Sequence, residues 1–266
     1  MFSTNLLHFG ALTHTYMSYF NLIKLNATSS TNDYLKNKYK KRNVSDGDLV
    51  WTINQTSGRG QHQNKWYSDF KDSLTFSIFR QFKDIEISNP FLISLIVSLG
   101  IHKALTELKI PNLNIKWPND ILSENKKIGG ILIENFFTKG KLTASVIGVG
   151  LNLNQLSFQN IPNATSLRKV TGIIWDQQKL LDVLMQYLHR FLFQTNFQNL
   201  DNILIQYNDK LWKKNKRVAF ESNSSNFMAI PKGVSIEGKL IIETDEKQIL
   251  EKDTNQIRML YNPNFL

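Results

Sequence analysis

Apolar and polar positions alternate over Asn21 to Asn26 (NLIKLN), a period of two that predicts a short strand. Ser29, Ser30 and Thr31 then stand where N-cap residues would, ahead of a helix predicted over Asn32 to Tyr39. Leu49 to Asn54 (LVWTIN) reads as a buried strand that runs into a polar, Gly-containing loop, Gln55 to Lys65. Ser73 to Phe79 (SLTFSIF) alternates again and predicts another strand. Pro90 sits at a favoured helix start, and that helix should run to about Leu108. Leu113 to Trp117 and Lys127 to Asn135 read as strands, and a turn at Lys139-Gly140 leads to a strand through Ala144 to Leu153. Leu180 to Phe193 and Leu200 to Leu211 carry helical patterning.

Beyond Trp212 the pattern shortens. Val218 to Glu221, Phe227 to Ile230, Val234 to Ile236 and Leu240 to Thr244 are strand-like pieces punctuated by Gly233 and Gly238, which predicts a small β-barrel. The expected organisation is an N-terminal extension over 1–20 without clear periodicity, a mixed α+β domain over 21–210, and an all-β module over 211–266.

Composition changes this picture little. With 41% hydrophobic and 20% charged residues, an ordinary packed core is expected. The net charge of +10 fits either a generally basic proteome or an anionic ligand. The runs Lys36 to Arg42 and Lys213 to Arg217 lack the interleaved aromatics of a stacking platform for nucleic acid. Cysteine is absent, which excludes disulfides, thiolate metal sites and a thioester on the enzyme, and fits a cytoplasmic protein. The N-terminus, interrupted by His8 and His14, makes a poor signal peptide. The longest uncharged stretch, Ile87 to His102, is too short and polar for a membrane span and suits a buried helix.

Four constellations could carry chemistry. In Gln55-Thr-Ser-Gly-Arg-Gly-Gln-His-Gln-Asn-Lys-Trp66, Gly58 and Gly60 flank Arg59; glycines allow close backbone approach, and a guanidinium fork suits phosphate or carboxylate. Lys116-Trp-Pro-Asn119-Asp120 sets a cation and a carboxylate around a turn, and suits either a Mg–nucleotide or an ordinary polar turn. In Lys126-Lys127-Ile-Gly129-Gly130-Ile-Leu-Ile-Glu134, glycines interrupt the start of a strand, the mark of a ligand approach or of a bulge. Gly148-Val-Gly150-Leu-Asn152-Leu-Asn closes another strand but is not GxGxxG. No GxxxxGK[ST] and no GxSxG occur, and the five histidines show no metal-ligand spacing.

In their order, Ser30-Thr31-Asn32, QTSGRGQ…W, KWPND, KKIGGILIE and GVGLNLN resemble the motif set of biotin–protein ligases over about residues 22–155, and VSIEGKLIIE resembles that family's C-terminal barrel. The resemblance implies a mixed β-sheet flanked by helices, like class II aminoacyl-tRNA synthetases, plus a small SH3-like β-barrel. It implies an enzyme that uses ATP and Mg²⁺ to turn biotin into biotinyl-5′-AMP. The biotinyl group then goes to a lysine of a biotin carboxyl carrier protein. Ser30, Thr31, Asn32 and Gln55 correspond to the contacts of the biotin ureido head, and Gly58, Arg59 and Gly60 to the loop that covers biotin and the adenylate. Trp66 corresponds to the aromatic wall, and Lys127 to the lysine on the biotin carboxyl and α-phosphate. Lys116 and Asp120 correspond to the triphosphate and metal end, with Asn119 in the same motif. Gly129, Gly130, Gly148, Gly150 and Asn152 correspond to pocket backbone and adenine-side contacts.

Where some members continue the loop as GRGRRGR, this chain has Gln61-His62-Gln63-Asn64. Few residues precede Ser29, too few for the helix-turn-helix domain of members that double as repressors, so no DNA partner is expected. A monomer or homodimer without membrane attachment is implied. The alternatives are a lipoate– or octanoate–protein ligase, whose RRxxGGGxVxH-type stretch is missing here, and a non-catalytic nucleic-acid or ligand-binding protein.

Overall fold

The computed structural model describes residues 19–261 except 62–63, 69, 84, 86, 88, 160, 198–199 and 223–224. His8, His14, Gln63 and most of the expected N-terminal extension lie outside the described residues. Phe20, assigned to that extension, is a core residue instead: it is buried edge-on against Phe193 with ring centroids 5.6 Å apart.

Strands β1 (Asn21–Thr28) and β2 (Asp48–Gln55) pair in parallel, and the crossover this requires is helix α1 (Thr31–Lys40). Ser30 caps α1, its side chain accepting from Asp33 N, and Leu35 is its fully buried apolar anchor. The segment expected to be a plain loop after β2 holds a small ladder, β3 (Gly58–Arg59) against β4 (Lys65–Trp66). Then come β5 (Ser73–Gln81), helix α2 (Phe91–Glu107), β6 (Asn114–Lys116), β7 (Asp120–Ser123), β8 (Lys126–Thr138) and β9 (Lys141–Asn152). The seven-stranded sheet runs β1-β2-β5-β9-β8-β7-β6 and is antiparallel except at β1–β2.

One face of this sheet, through Leu49, Trp51, Leu74, Phe76, Ile147 and Leu151, shares a core with α2 and helix α4 (Gln177–Phe193), which follows a short helix α3 (Leu167–Thr171). The uncharged stretch over Ile87 to His102 is explained here: α2 is covered on almost every side, from Leu92 through Leu105. The other face, through Val50, Phe79 and Val146, is capped by Leu35 of α1. Both faces are therefore covered, and the alternation in β5 does not separate core from solvent. Ser73, Thr75 and Ser77 are as buried as the apolar residues between them.

Helix α5 (Leu200–Asp209) leads into a second sheet of β10 (Val218–Ser222), β11 (Asn226–Val234), β12 (Leu240–Thr244), β13 (Ile249–Lys252) and β14 (Ile257–Met259). Its order is β13-β12-β11-β10-β14, antiparallel throughout, consistent with an SH3-like barrel. Two of its pieces differ from expectation. Phe227 to Ile230 and the start of Val234 to Ile236 are one strand, continued through a bulge at Pro231–Gly233. Strands β13 and β14, of four and three residues, are too short to register as periodic.

The two sheets are joined by more than the chain. Residues 210–212 pair with the free edge of β6, Ile115 N donating to Lys210 O and Trp212 N to Ile115 O, each at 2.8 Å. Buried residues of both sheets form one continuous apolar cluster. Among the described residues, no helix is long and apolar enough to cross a membrane.

Candidate active site

A cavity of about 220 Å³ opens where the N-terminus of α1, the ends of β2, β8 and β9, the β3–β4 ladder and the tip of β14 converge. Its inner end is neutral. Thr31 N donates to Gln55 Oε1 at 3.0 Å, and the Thr31 hydroxyl lies 3.3 Å from the same oxygen. Ser77 Oγ sits 2.7 Å from Thr31 Oγ1 and 2.6 Å from Asn32 Oδ1. Asn32 Nδ2 donates to Glu134 Oε2 at 2.9 Å and to Leu132 O at 3.2 Å. A chain of buried dipoles therefore fixes the orientation of every polar group there. The bare backbone of Gly148 makes this possible: a Cβ at that position would come within 2.3 Å of Asn32 Oδ1.

Trp66 forms a side wall, its indole lying against Gly150, where an added Cβ would meet the ring at 2.4 Å. The ladder that carries Trp66 also carries Arg59, whose guanidinium donates to Asp33 at 2.6 Å and reaches Glu134 at 3.3 Å. Lys36 joins the group, 2.7 Å from Glu134 and 3.1 Å from Asp33. Burial opposes ionisation of Glu134, but the hydrogen bonds from Lys36 and Asn32 and the charge of Arg59 outweigh it and hold its carboxyl below the usual range.

The outer end is charged. Lys127 Nζ pairs with Asp120 Oδ1 at 2.6 Å and lies 5.8 Å from the Trp66 ring centroid. The KWPND turn is stapled to β8 in both directions, Asn119 Nδ2 donating to Ile131 O at 2.7 Å and Ile131 N to Asn119 O at 3.0 Å. Lys116, at the end of β6, is buried with its ammonium 4.7 Å from the Tyr261 ring. Desolvation pushes its pKa down to about 8, the attraction of Asp120 opposing this and the charges of Lys127 and Arg258 adding to it. Among the described residues, no three His, Cys, Asp or Glu side chains gather to hold a metal ion, and Asp120 is the one carboxylate lining the cavity. That donor set suits Mg²⁺ arriving on a nucleotide, which needs only one or two protein carboxylates beside its phosphate oxygens.

A model of the Biotin/lipoate A/B protein ligase family matches residues 25–152, the segment that supplies most of this cavity. Residues 25–152 belong to that family. Among proteins similar to this chain, the bifunctional ligase/repressor BirA of Escherichia coli is 25% identical over 228 residues, covering 81% of this chain and 67% of its own. The biotin–[acetyl-CoA-carboxylase] ligase of Mycobacterium tuberculosis is 25% identical, covering 84% and 83%. The biotin protein ligase of Aquifex aeolicus, solved in complex with biotin and ATP, superposes with a TM-score of 0.74 at 28% identity, over 90% of this chain and 98% of that one.

Most residues singled out from the ligase motifs meet at the cavity: Ser30, Thr31, Asn32, Gln55, Arg59, Gly60, Trp66, Lys116, Asn119, Asp120, Lys127, Gly130, Gly148 and Gly150 all line it. Three stand outside. Gly58 makes room for Gln55 and Trp66, which a Cβ would meet at 2.6 and 2.5 Å, and Gly129 makes room for Leu151. Asn152 is buried at the end of β9, donating to Thr165 O at 3.0 Å. Asn64 lines the cavity too, and its carbonyl accepts from Gly60 N at 2.7 Å to close the loop.

Ser77 and Glu134 were not anticipated, nor were the lining residues Thr75, Thr254, Arg258 and Met259. A signal existed for the first two. Small hydroxyl residues alternate along a strand hidden on both faces, and Glu134 ends the KKIGGILIE motif. Thr254, Arg258 and Met259 come from the second module, a hundred residues or more beyond GVGLNLN, with no pattern of their own.

Proposed function

We propose that this ligase activates biotin with ATP and transfers it to a specific lysine of a biotin carboxyl carrier protein. The observation that carries the reading is the polarity of one cavity, a hydrogen-bonded neutral end joined to an end lined by cations. A neutral cyclic urea needs donors and acceptors together, which Ser30, Thr31, Asn32 and Gln55 supply. The valeryl chain lies along Trp66 and the bare backbone of Gly130 and Gly150. Its carboxylate is then brought toward Lys127.

In the first step a biotin carboxylate oxygen bonds to the ATP α-phosphorus in line, and the bond to the β-phosphate bridging oxygen breaks. Pyrophosphate leaves with the electron pair. Lys127, Arg59 and Lys116 hold the oxygens on which negative charge accumulates, and positioning and electrostatics do the work. Mg²⁺ carried by the nucleotide would take Asp120 as protein ligand and neutralise charge on the leaving pyrophosphate. In the second step a neutral carrier-lysine amine bonds to the acyl carbon, the carbon–oxygen bond to AMP breaks, and the surplus proton passes to Asp120 or to water. No enzyme nucleophile is required, in keeping with a chain that has no cysteine. The glycine-flanked loop of Arg59, folded over the mixed anhydride, keeps water from it.

Residues 21–210 form the catalytic unit in this proposal, and 211–266 a small barrel whose β14 completes the cavity. The enzyme works in the cytoplasm, as a monomer or homodimer. The test is biotin-dependent exchange of pyrophosphate into ATP by the purified protein, with lipoate and octanoate in parallel. Exchange with biotin alone is expected. Exchange only with lipoate or octanoate would replace biotin as the substrate, and exchange with no acid would overturn the reading.

A further inference from the structure

The KWPND turn, which supplies Lys116 and Asp120, is held from outside its own sheet. Trp117 Nε1 donates to Gly238 O at 2.9 Å, a fully buried bond to the turn between β11 and β12. Tyr261, two residues beyond β14, donates its hydroxyl to Asp120 Oδ2 at 3.3 Å. The same tyrosine lays its ring over the buried Lys116 ammonium at 4.7 Å and is backed by Trp212 at 5.5 Å. Trp212 is pinned in turn, donating from Nε1 to Asn125 Oδ1 at 2.9 Å.

From these contacts the geometry points to Tyr261 as a positioning residue of the charged end, one side chain of the second sheet that sets both the direction of the Asp120 carboxylate and the seclusion of the Lys116 ammonium. The two effects are separable. The hydroxyl acts on Asp120. It occupies Oδ2 while Lys127 occupies Oδ1, so the carboxylate plane is fixed from both sides. The ring acts on Lys116 by covering it, and a desolvated ammonium beside a π-face keeps a strong field for an incoming phosphate. This assignment gives Tyr261 a task that no motif around it announces.

For catalysis the inference rests on the biotin-ligase reading, since Lys116 and Asp120 are there the nucleotide-facing pair. Two readouts keep the failures apart. The first is chemical and independent of activity: the rate at which acetic anhydride modifies Lys116, expressed per neutral amine from its pH dependence and followed by peptide mass spectrometry on the folded protein. Tyr261→Phe keeps the ring and should leave that rate at the wild-type value. Tyr261→Leu opens the amine to the reagent and should raise that rate several-fold, the opposing fall in neutral fraction as solvation raises the pKa being already divided out. Equal rates in wild type and Tyr261→Leu would overturn the covering role.

The second readout is pyrophosphate exchange. Tyr261→Phe should raise KM for MgATP about tenfold, the loss of a hydrogen bond to a charged group, with KM for biotin unchanged. Tyr261→Leu should raise it further. A parallel fall in kcat with both KM values untouched, or equal rises in both KM values with a lowered Tm, would reduce Tyr261 to a packing residue. If wild type shows no exchange while Lys116 labelling still separates the two variants, the placement by Tyr261 stands and the biotin-ligase reading falls.

Discussion

The two ends of the cavity are built on opposite plans. At the neutral end Gln55, Thr31, Ser77 and Asn32 are bonded to one another and to Glu134 before any ligand arrives, and most of them are buried. At the charged end Lys127 is paired with Asp120, and beside it Arg59 with Asp33, so these two cations meet their substrate from within an ion pair. A neutral head group is read by dipoles that need not move. An anion is read by cations that must exchange one carboxylate for another. The first plan gives shape selectivity at little reorganisation. The second keeps strong charges stable in the empty enzyme and makes their full field available only when phosphate or carboxylate takes the partner's place.

If this contrast is right, the largest effect belongs to the charged end. Lys127→Ala should lower the rate of pyrophosphate exchange about 10²–10³-fold, as expected for the loss of one preorganised donor to a developing charge. The loss should appear in kcat. A Lys127→Ala enzyme that exchanges at the wild-type rate would remove the charged end from the chemistry.

The neutral end should respond less, and in a different parameter. Ser77→Ala breaks the link between Thr31 and Asn32 without altering any charge. KM for biotin should rise about tenfold, the cost of freeing one buried hydrogen-bonded pair, with KM for MgATP unchanged. A rise in both constants would mean that the two ends are mechanically coupled, through Asn32 and Glu134 to Arg59.

The contrast also explains which parts were legible in sequence. The catalytic sheet announced itself because its strands are long, and motifs such as SSTN and KKIGGILIE sit at their ends. The hydroxyls of β5 were legible as a strand but not as a site. An alternating pattern reads as one wet face, yet the residues facing away from the core here are buried under α1 and the cavity. The second sheet's share in the site was hidden for a plainer reason. Arg258 and Tyr261 act through proximity to Lys116 and Asp120, which the fold creates and sequence spacing does not. The glycines divide in the same way. Gly148 and Gly150 admit a side chain into the cavity, whereas Gly58 and Gly129 make room for packing, and only the neighbours tell these apart.

Smaller again is the response to pH, which should fall on the nucleotide alone. Lys116, with its pKa near 8, is charged at neutral pH and loses its proton as pH rises through that value. The parameter kcat/KM for MgATP reports the free enzyme, and it should fall about fourfold between pH 7 and 8.5, as a single titration centred at 8 requires. The same ratio for biotin, measured at saturating MgATP, should stay flat through that window. A parallel decline in both would place the titrating group elsewhere.

The smallest effect concerns stability, and its sign is the opposite of the usual one. The folded-state pKa of Lys116 lies below the ordinary value of 10.5, so the fold bears a cost for the charged form. That cost is present in full below about pH 8 and is relieved as pH rises toward 10.5, because in that window the unfolded chain binds the proton more tightly. Lys116→Met keeps an unbranched side chain of similar length and removes the charge. Asp120 is not orphaned, since Lys127 and Tyr261 still hold both its oxygens. At pH 7 the variant should therefore be more stable by about 1–2 kcal/mol, with a Tm a few degrees higher. Its advantage should shrink between pH 8 and 10.5, while pyrophosphate exchange is impaired at every pH. A gain in stability with a loss of activity is the mark of a charge kept buried for its field. A Lys116→Met protein less stable than wild type at pH 7 would mean that the pairing with Asp120 and the Tyr261 ring outweighs burial, and the charged end would then be as settled in the empty enzyme as the neutral one.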